Sequence, residues 1–213
     1  MTFSLGSTPR SLVKYNDQSI SAITEIASGA KDDMVLLSTT TASDASDLSI
    51  TSDIDSTYPI YIIKTINLFS HTDDRGILLN FTTDGTNFNV TKTTTYFRAR
   101  LNENHAIAGL DYRTAADLAQ SADGQKHLES FDGVADASAN STLYLFNPSS
   151  TTFVKHFLME IEGTGNGATD AQTATHSLIS GYCNTTSAVT GFQLAGSSTN
   201  ISATVKLYGL KDS

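Results

Sequence analysis

LYLFNPSSTTFVKHFLMEIEGTG, residues 143–165, is the stretch of this chain that decides its fold. A two-residue rhythm runs through both of its halves, at Leu143, Leu145, Phe153, Lys155, Phe157 and Met159. That period predicts β-strands whose alternate side chains share a face. The polar segment 147–150, Asn-Pro-Ser-Ser, predicts a turn, because proline restricts φ to about −65° and Asn and Ser side chains bond their own backbone. Two strands joined by such a turn predict a hairpin and an antiparallel all-β domain.

Strand signals continue on both sides of this hairpin. Candidate strands lie at residues 34–40, 48–51, 58–69, 76–83, 91–100, 141–147, 152–162, 174–183, 188–195 and 201–208. About nine to eleven short strands with turn residues between them are typical of a sandwich. The sequence therefore predicts an antiparallel β-sandwich, jelly-roll-like, over residues 34–213.

Local patterns add finer expectations about these strands. Residues 58–69 are apolar on both faces, which predicts a central strand, with 76–83 as its antiparallel partner. Asp84-Gly85 predicts a tight turn between strands. Residues 114–120 predict a helical turn, and residues 123–140 predict a surface excursion.

Residues 1–33 differ from the rest of the chain. Their weak apolar pattern comprises Leu12, Val13, Tyr15, Ile20, Ile23 and Ile26. Part of this spacing is close to helical, but the β-branched side chains disfavour an isolated helix. We expect an extended N-terminal arm that gains order by docking on another molecule, and a floppy terminus is the alternative.

Composition excludes several classes of partner. The formal net charge is −9, and charged residues make up 16% of the chain. A nucleic-acid partner is disfavoured, because such binding depends on clustered Lys and Arg that neutralise phosphates. Membrane insertion is not expected, because no apolar run approaches the roughly 18 residues that a spanning helix needs. The first ten residues lack the pattern of a signal peptide, which predicts synthesis in a cytoplasm.

Several polar groups resemble chemical sites but have simpler explanations. His71, Asp73 and Asp74 share one turn, and a sparse calcium-like pattern runs through Asp84, Asn87 and Asn89. Both groups are typical of turns that bond their own backbone. We therefore predict no metal ion and no cofactor.

Catalytic groups are also not expected. Glu160 and Glu162 share a strand face, about 7 Å apart, but catalytic carboxylate pairs normally come from separate elements that line a cleft. Cys183 is the one cysteine of the chain and is expected to be a buried thiol. Tyr58 and Tyr112 are the tyrosines best placed for exposure, and they are candidate contacts for a glycan.

Five segments carry a family resemblance: residues 55–69, 82–97, 143–157, 181–194 and 204–210. In order and spacing they resemble a β-domain of virion structural and tail-fibre-like proteins of tailed bacteriophages from aquatic bacteria. The resemblance implies a location on the virion surface, contacts with other virion proteins and a symmetric homo-oligomer, with a trimer favoured. It supplies no site residues.

The expected function is therefore a non-enzymatic virion surface protein, made in the host bacterial cytoplasm and attached by its arm. A tail-fibre or adhesin module would contact a host surface glycan, and a capsid decoration protein (a head fibre or cement protein) is the alternative. A carbohydrate-binding module and a glycan depolymerase are further alternatives.

Overall fold

The computed structural model describes residues 33–131, 136–165 and 173–211. Thirteen strands form within these residues. In chain order they are β1 (Met34–Ala45), β2 (Asp47–Ile50), β3 (Ile60–Ser70), β4 (Arg75–Thr82), β5 (Lys92–Asn102), β6 (Ala108–Tyr112), β7 (Leu118–Ser121), β8 (Gln125–Phe131), β9 (Ala139–Phe146), β10 (Lys155–Gly165), β11 (Thr173–Cys183), β12 (Gly191–Gly196) and β13 (Ile201–Leu210).

The strands form two antiparallel layers. The wide sheet has the order β1-β13-β3-β9-β10-β11-β5, and β6 and β7 both pair with the free side of β5. The small sheet has the order β8-β4-β12-β2. One backbone pair, Gly165 with Phe131, links β10 to β8 at the border between the layers. The prediction of an antiparallel β-sandwich is confirmed.

Eight of the strands pair in a nested arrangement. β1 pairs with β13 and β3 with β9 in the wide sheet, whereas β2 pairs with β12 and β4 with β8 in the small sheet. Successive nested pairs therefore fall in alternate layers. The other strands, β5 to β7 and β10 to β11, extend the wide sheet beyond β9.

Alternating side chains of the two layers meet in one core. On β10, Phe157, Met159 and Ile161 are buried, whereas the residues between them are exposed. The ring of Phe81 on β4 lies 5.2 Å from the ring of Phe157, which joins the small sheet to the wide one. The two-residue rhythm that predicted the hairpin thus sets the inward face, and the β9–β10 hairpin is confirmed by their antiparallel register.

Polar side chains also lie between the layers, and they are hydrogen-bonded. Gln125 on β8 accepts from Thr94 and donates to the carbonyl oxygen of Ala116. His127 Nε2 lies 2.8 Å from Ser141 Oγ on β9. These partners offset much of the cost of removing polar groups from water. The expectation of a surface excursion over 123–140 is therefore wrong for β8.

An ion network secures β5 to β8 at one end of the sandwich. Glu129 Oε2 accepts from Arg98 Nη1 at 2.7 Å and from Arg113 Nε at 2.6 Å, and Asp111 bonds both arginines. Burial alone raises the pKa of Glu129, but the hydrogen bond and charge of Arg113 outweigh it and lower this pKa. Both arginine side chains are engaged in these ion pairs, so the network holds the strands together.

Two expectations of local pairing need correction. β3 pairs with β13 and β9, whereas residues 76–83 contribute β4 of the other sheet, so the two strands are not partners. Asp84-Gly85 does form a turn, with Gly85 at φ 75°, but β4 and β5 do not pair across it. Turn chemistry specifies a change of direction, whereas pairing depends on which strand offers a complementary face.

The helical turn expected at 114–120 is short. The N–H of Asp117 donates to the carbonyl oxygen of Arg113, and the chain then enters β7 at Leu118. Residues 114–116 form a turn and no helix. The described chain also has more strands than the sequence predicted, mainly because β6, β7 and β8 were not expected. The proposed arm, residues 1–33, lies outside the described residues except for Asp33.

Replacing Leu145 with Ala tests the core. Leu145 is 0% exposed on the inward face of β9, so the change leaves a cavity and should lower the free energy of unfolding by about 2–5 kcal/mol. Phe153→Ala is the control, since Phe153 is 69% exposed in the β9–β10 turn, and its effect should stay within about 0.5 kcal/mol. Urea unfolding measures both, and equal losses would contradict the assigned inward face.

A pH dependence follows from His127. Burial lowers the pKa of His127 from 6.5 to about 3. The unfolded chain therefore binds a proton on this residue at higher pH than the folded chain does. Stability from this residue is complete above about pH 6.5 and is lost as the pH falls toward 3, by up to about 1.4 kcal/mol per pH unit.

We expect His127→Gln to flatten this part of the acid-unfolding profile. Urea unfolding at pH 7, 5.5 and 4 measures the effect, with His156→Gln, at an exposed histidine, as the matched control. The same decline in His127→Gln as in the unchanged chain would show that another group is responsible.

Candidate functional site on the outer face of the wide sheet

The surface that stands out is the outer face of the wide sheet, the side turned away from the small sheet. Ten large hydrophobic side chains are exposed among the described residues. Nine of them lie on this face: Met34, Leu36, Phe97, Leu101, Leu110, Tyr112, Phe146, Leu158 and Leu178. The tenth, Phe153, lies in the β9–β10 turn. Exposed hydrophobic residues are normal when scattered, but their concentration on one face indicates a binding surface.

Strand register aligns these side chains in rows. One row crosses β1, β13, β3, β9 and β10 through Leu36, Tyr208, Ile62, Tyr144 and Leu158, each paired with the next. Ile62 is only 7% exposed, although no second layer covers it among the described residues. Its paired neighbours Tyr208 and Tyr144 shield it. This row forms a continuous apolar band across five strands.

A second apolar region lies at the β5–β6 side. Leu178 pairs with Phe97, and Phe97 pairs with Tyr112, whose ring lies 5.2 Å from the Phe97 ring. Leu110 projects beside them and is 77% exposed, the largest value among the exposed hydrophobics. Side chains this exposed contribute little to the core of a single chain, so their apolar area is available to a partner.

Three shallow depressions open on the same side of the molecule. Their volumes are about 430, 430 and 380 Å³, and they lie along β10, β11, β5 and β6. Glycines at 163, 109 and 181 are among the residues that line two of them. The depressions are open troughs in a flat surface, a shape that suits protruding side chains of another protein better than an enclosed small molecule.

Charged residues divide the outer face into a basic and an acidic part. Lys64 on β3 and Lys206 on β13 are direct cross-strand neighbours, and within the described residues neither forms an ion pair. Glu160 and Glu162 lie on β10, on the other side of β9. Like charges placed side by side are unfavourable in an isolated sheet, so the lysine pair gains most from an external anion.

His176 on β11 joins the two glutamates. Its Nε2 lies 3.6 Å from Glu160 Oε1, and its Nδ1 lies 3.7 Å from Glu162 Oε1. Two carboxylates and one imidazole are ligands that divalent ions accept, and the three ligand atoms lie within 4.8 Å of one another. All three side chains are exposed on an open face. Water therefore competes at every position, and the group provides negative charge rather than a desolvated reaction centre.

Cys183, the one cysteine of the chain, is buried on the inner face of the wide sheet. Cys183 pairs with Lys155 on one side and Lys92 on the other, and its side chain points inward. Burial raises the pKa of Cys183 to about 12, although the two lysine charges oppose this shift. Burial likewise lowers the pKa of Lys92 to about 8. The thiol is thus kept neutral and away from solvent, which confirms the expectation of a buried cysteine.

The two tyrosines proposed as glycan contacts differ in their surroundings. Tyr112 is exposed on the outer face, and its hydroxyl donates to Asp117 Oδ2 at 2.6 Å. Tyr58 is half-buried, packs edge-on against Tyr61 with ring centroids 5.8 Å apart, and covers the backbone of Gly209. The structure therefore separates the two residues, and Tyr112 alone is exposed as expected.

The polar turns form local contacts. Asp84 Oδ1 accepts from the backbone N–H groups of Thr86 and Asn87 at 2.8 and 2.7 Å, and these bonds together with the Asn87 side chain lower the pKa of Asp84. His71 lies near Ser202 Oγ, at 2.8 Å, and near Asp44. The Asp84 carboxylate is thus occupied by its own turn.

Comparisons with protein families, with curated proteins and with solved structures found no match for this chain. Among the described residues, no helix has the length and apolar character needed to cross a bilayer. Apart from Asp33, residues 1–33, including Leu12, Val13, Tyr15, Ile20, Ile23 and Ile26, lie outside the described part of the chain.

Sequence reasoning did not identify the outer face as a site. The signal was nevertheless present, because Leu143 and Leu145 alternate with Tyr144 and Phe146, and Leu158 separates Phe157 from Met159. Apolar residues in both phases of a strand predict burial on both faces. β9 and β10 have such a pattern, yet the structure covers only one of their faces.

Proposed function

We propose that this chain is a non-enzymatic structural subunit of a bacteriophage virion surface, of the tail-fibre or adhesin type, that works as a symmetric homo-oligomer. The observation that carries the proposal is the exposed apolar outer face of the wide sheet, which includes nine of the ten exposed large hydrophobic side chains in the described residues. A subunit whose working state is an assembly has a reason to present such a face, because assembly removes it from water.

The strand order supports the same proposal. We interpret the four nested pairs, which alternate between the two layers, as a jelly roll. Jelly rolls are common among viral capsid and lectin domains. A fold of this kind serves many functions, so the strand order favours a virion or glycan-binding role without selecting between them.

The arrangement of titratable groups favours a structural role over catalysis. Glu129 is held by Arg98 and Arg113, and Cys183 is buried as a neutral thiol. Glu160 and Glu162 lie on one strand of an open face, whereas glycan hydrolysis uses two carboxylates that flank the bound sugar.

Immunolabelling of purified phage particles tests the proposal. We expect antibody against residues 34–213 to label intact virions in electron micrographs. Label at the tail supports the adhesin type and directs attention to host glycans. Label over the head supports the alternative, a capsid decoration protein, and predicts that heads lacking the chain burst at lower temperature. Absence of label from intact particles would contradict a virion surface role.

Deletion of residues 1–33 tests the docking arm. The sandwich core lies in residues 34 onward, so the truncated chain should remain folded and soluble. It should no longer join particles, because the arm supplies the attachment. Particles assembled with each form are compared by immunoblot, and circular dichroism provides the folding control. Normal incorporation of the truncated chain would contradict docking through the arm.

A further inference from the structure

We propose that the outer face of the wide sheet binds a second copy of this chain, and that Lys64 of one copy contacts Glu160 of the next. Lys206 lies beside Lys64, and Glu162 lies beside Glu160, so each adds charge of the same sign to its side of the contact. The inference rests on the proposed role as an assembling subunit and assigns the surface that assembles. It concerns residues 33–211 and does not require the N-terminal arm.

The first argument is the extent of the apolar surface. The band from Leu36 to Leu158 crosses five strands. The apolar cluster around Phe97 and Leu110 lies beside it on β5 and β6, in the cross-strand row of Glu160. A surface this broad fits another broad and flat surface, because a peptide or a sugar would cover only a few strands. The outer face of a second copy has the same width and the same apolar character.

The second argument is that the charges complement each other only between copies. Lys64 pairs with Thr142 on β9, and Thr142 pairs with Glu160 on β10, so all three lie in one cross-strand row. Neighbouring strands are about 4.8 Å apart, which places the backbones of the lysine and glutamate about 10 Å apart. No ion pair joins them within the described chain.

β9 lies midway between the basic and the acidic part. If two copies face each other across an axis that runs along β9, the β3 of each copy lies over the β10 of the other. Each Lys64 then meets a Glu160 of the facing copy, and each Ile62 meets a Leu158. Each Lys206 lies over a Leu178, next to this contact.

Opposite charges that meet in such a contact select its register. An apolar face alone permits many relative positions, whereas a shifted copy would place lysine on lysine or glutamate on glutamate. The face thus combines a nonspecific driving force with a specific register, as a self-associating surface requires.

Sedimentation velocity of the full chain tests the apolar part of the proposal. We expect an oligomer for the unchanged protein and dissociation to monomers for Leu110→Ser/Leu178→Ser. Phe153→Ser is the matched control, because Phe153 is also a large exposed hydrophobic but lies off the outer face. This control should keep the oligomer. Thermal unfolding of each variant shows whether the monomer remains folded.

Charge reversal tests the register and is insensitive to core packing, since the four residues are not buried. Lys64→Glu/Lys206→Glu and Glu160→Lys/Glu162→Lys should each raise the dissociation constant by at least about tenfold, as like charges then face each other. The quadruple reversal should restore association, and so should mixing the two double variants. Glu103→Lys, in the β5–β6 turn, is the charge control and should leave association unchanged.

A full chain that stays monomeric, or an oligomer that survives all of these changes, would overturn the proposal. Loss of the oligomer on deleting residues 1–33, with no effect of the charge reversals, would also overturn it and assign the contact to the arm. These outcomes are separate from the virion test. A chain that labels virions but associates without this face would keep the proposed function and lose only the interface.

Discussion

The contact between the small sheet and the inner face of the wide sheet is the interaction on which the rest of the structure depends. It places Phe81 against Phe157 and buries Leu145 and Ile161, which supplies the hydrophobic free energy that strand pairing alone does not provide. The same contact requires partners for the polar groups that it removes from water. Thr94 with Gln125 and Ser141 with His127 Nε2 meet part of this requirement across the layers, whereas His127 Nδ1 has no hydrogen-bond partner among the described residues. The core is thus held by both packing and hydrogen bonds.

Because of this contact, only the inner face of the wide sheet is covered within the described chain. The inner face has a protein partner, whereas the outer face presents apolar rows and two separated patches of opposite charge within the described chain. β10 shows the contrast within one strand, since Ile161 is buried and Leu158 is exposed although both are apolar. An apolar face that the fold itself leaves uncovered is compatible with a subunit that completes its burial by assembly, and the virion proposal and the proposed interface both follow from this imbalance.

Sequence patterns predicted the parts of the fold that depend on local chemistry. The rhythm of Leu143, Leu145, Phe157 and Met159 identified the β9–β10 hairpin and its inward face, and the tendency of free cysteines to be buried suggested the burial of Cys183. β8 was missed because its polar side chains look exposed in sequence, and only their partners on β5 and β9 make their burial acceptable. The pairing of β4 was also wrong, since proximity along the chain suggested β3, whereas nested pairing sends adjacent strands to opposite layers.

The candidate site, like the fold, could be predicted from the sequence only in part. The sequence by itself determined an antiparallel all-β sandwich, because a two-residue period with turn residues is compatible with little else. It also placed Tyr112 at an exposed position and Glu160 and Glu162 on a common strand face. Only the tertiary structure decided that Lys64 and Lys206 lie side by side, that His176 joins the glutamates, and that nine exposed hydrophobic side chains share one face. The physical reason is that neighbours in a sheet are set by long-range register, which is a property of the complete set of strands and not of any one segment.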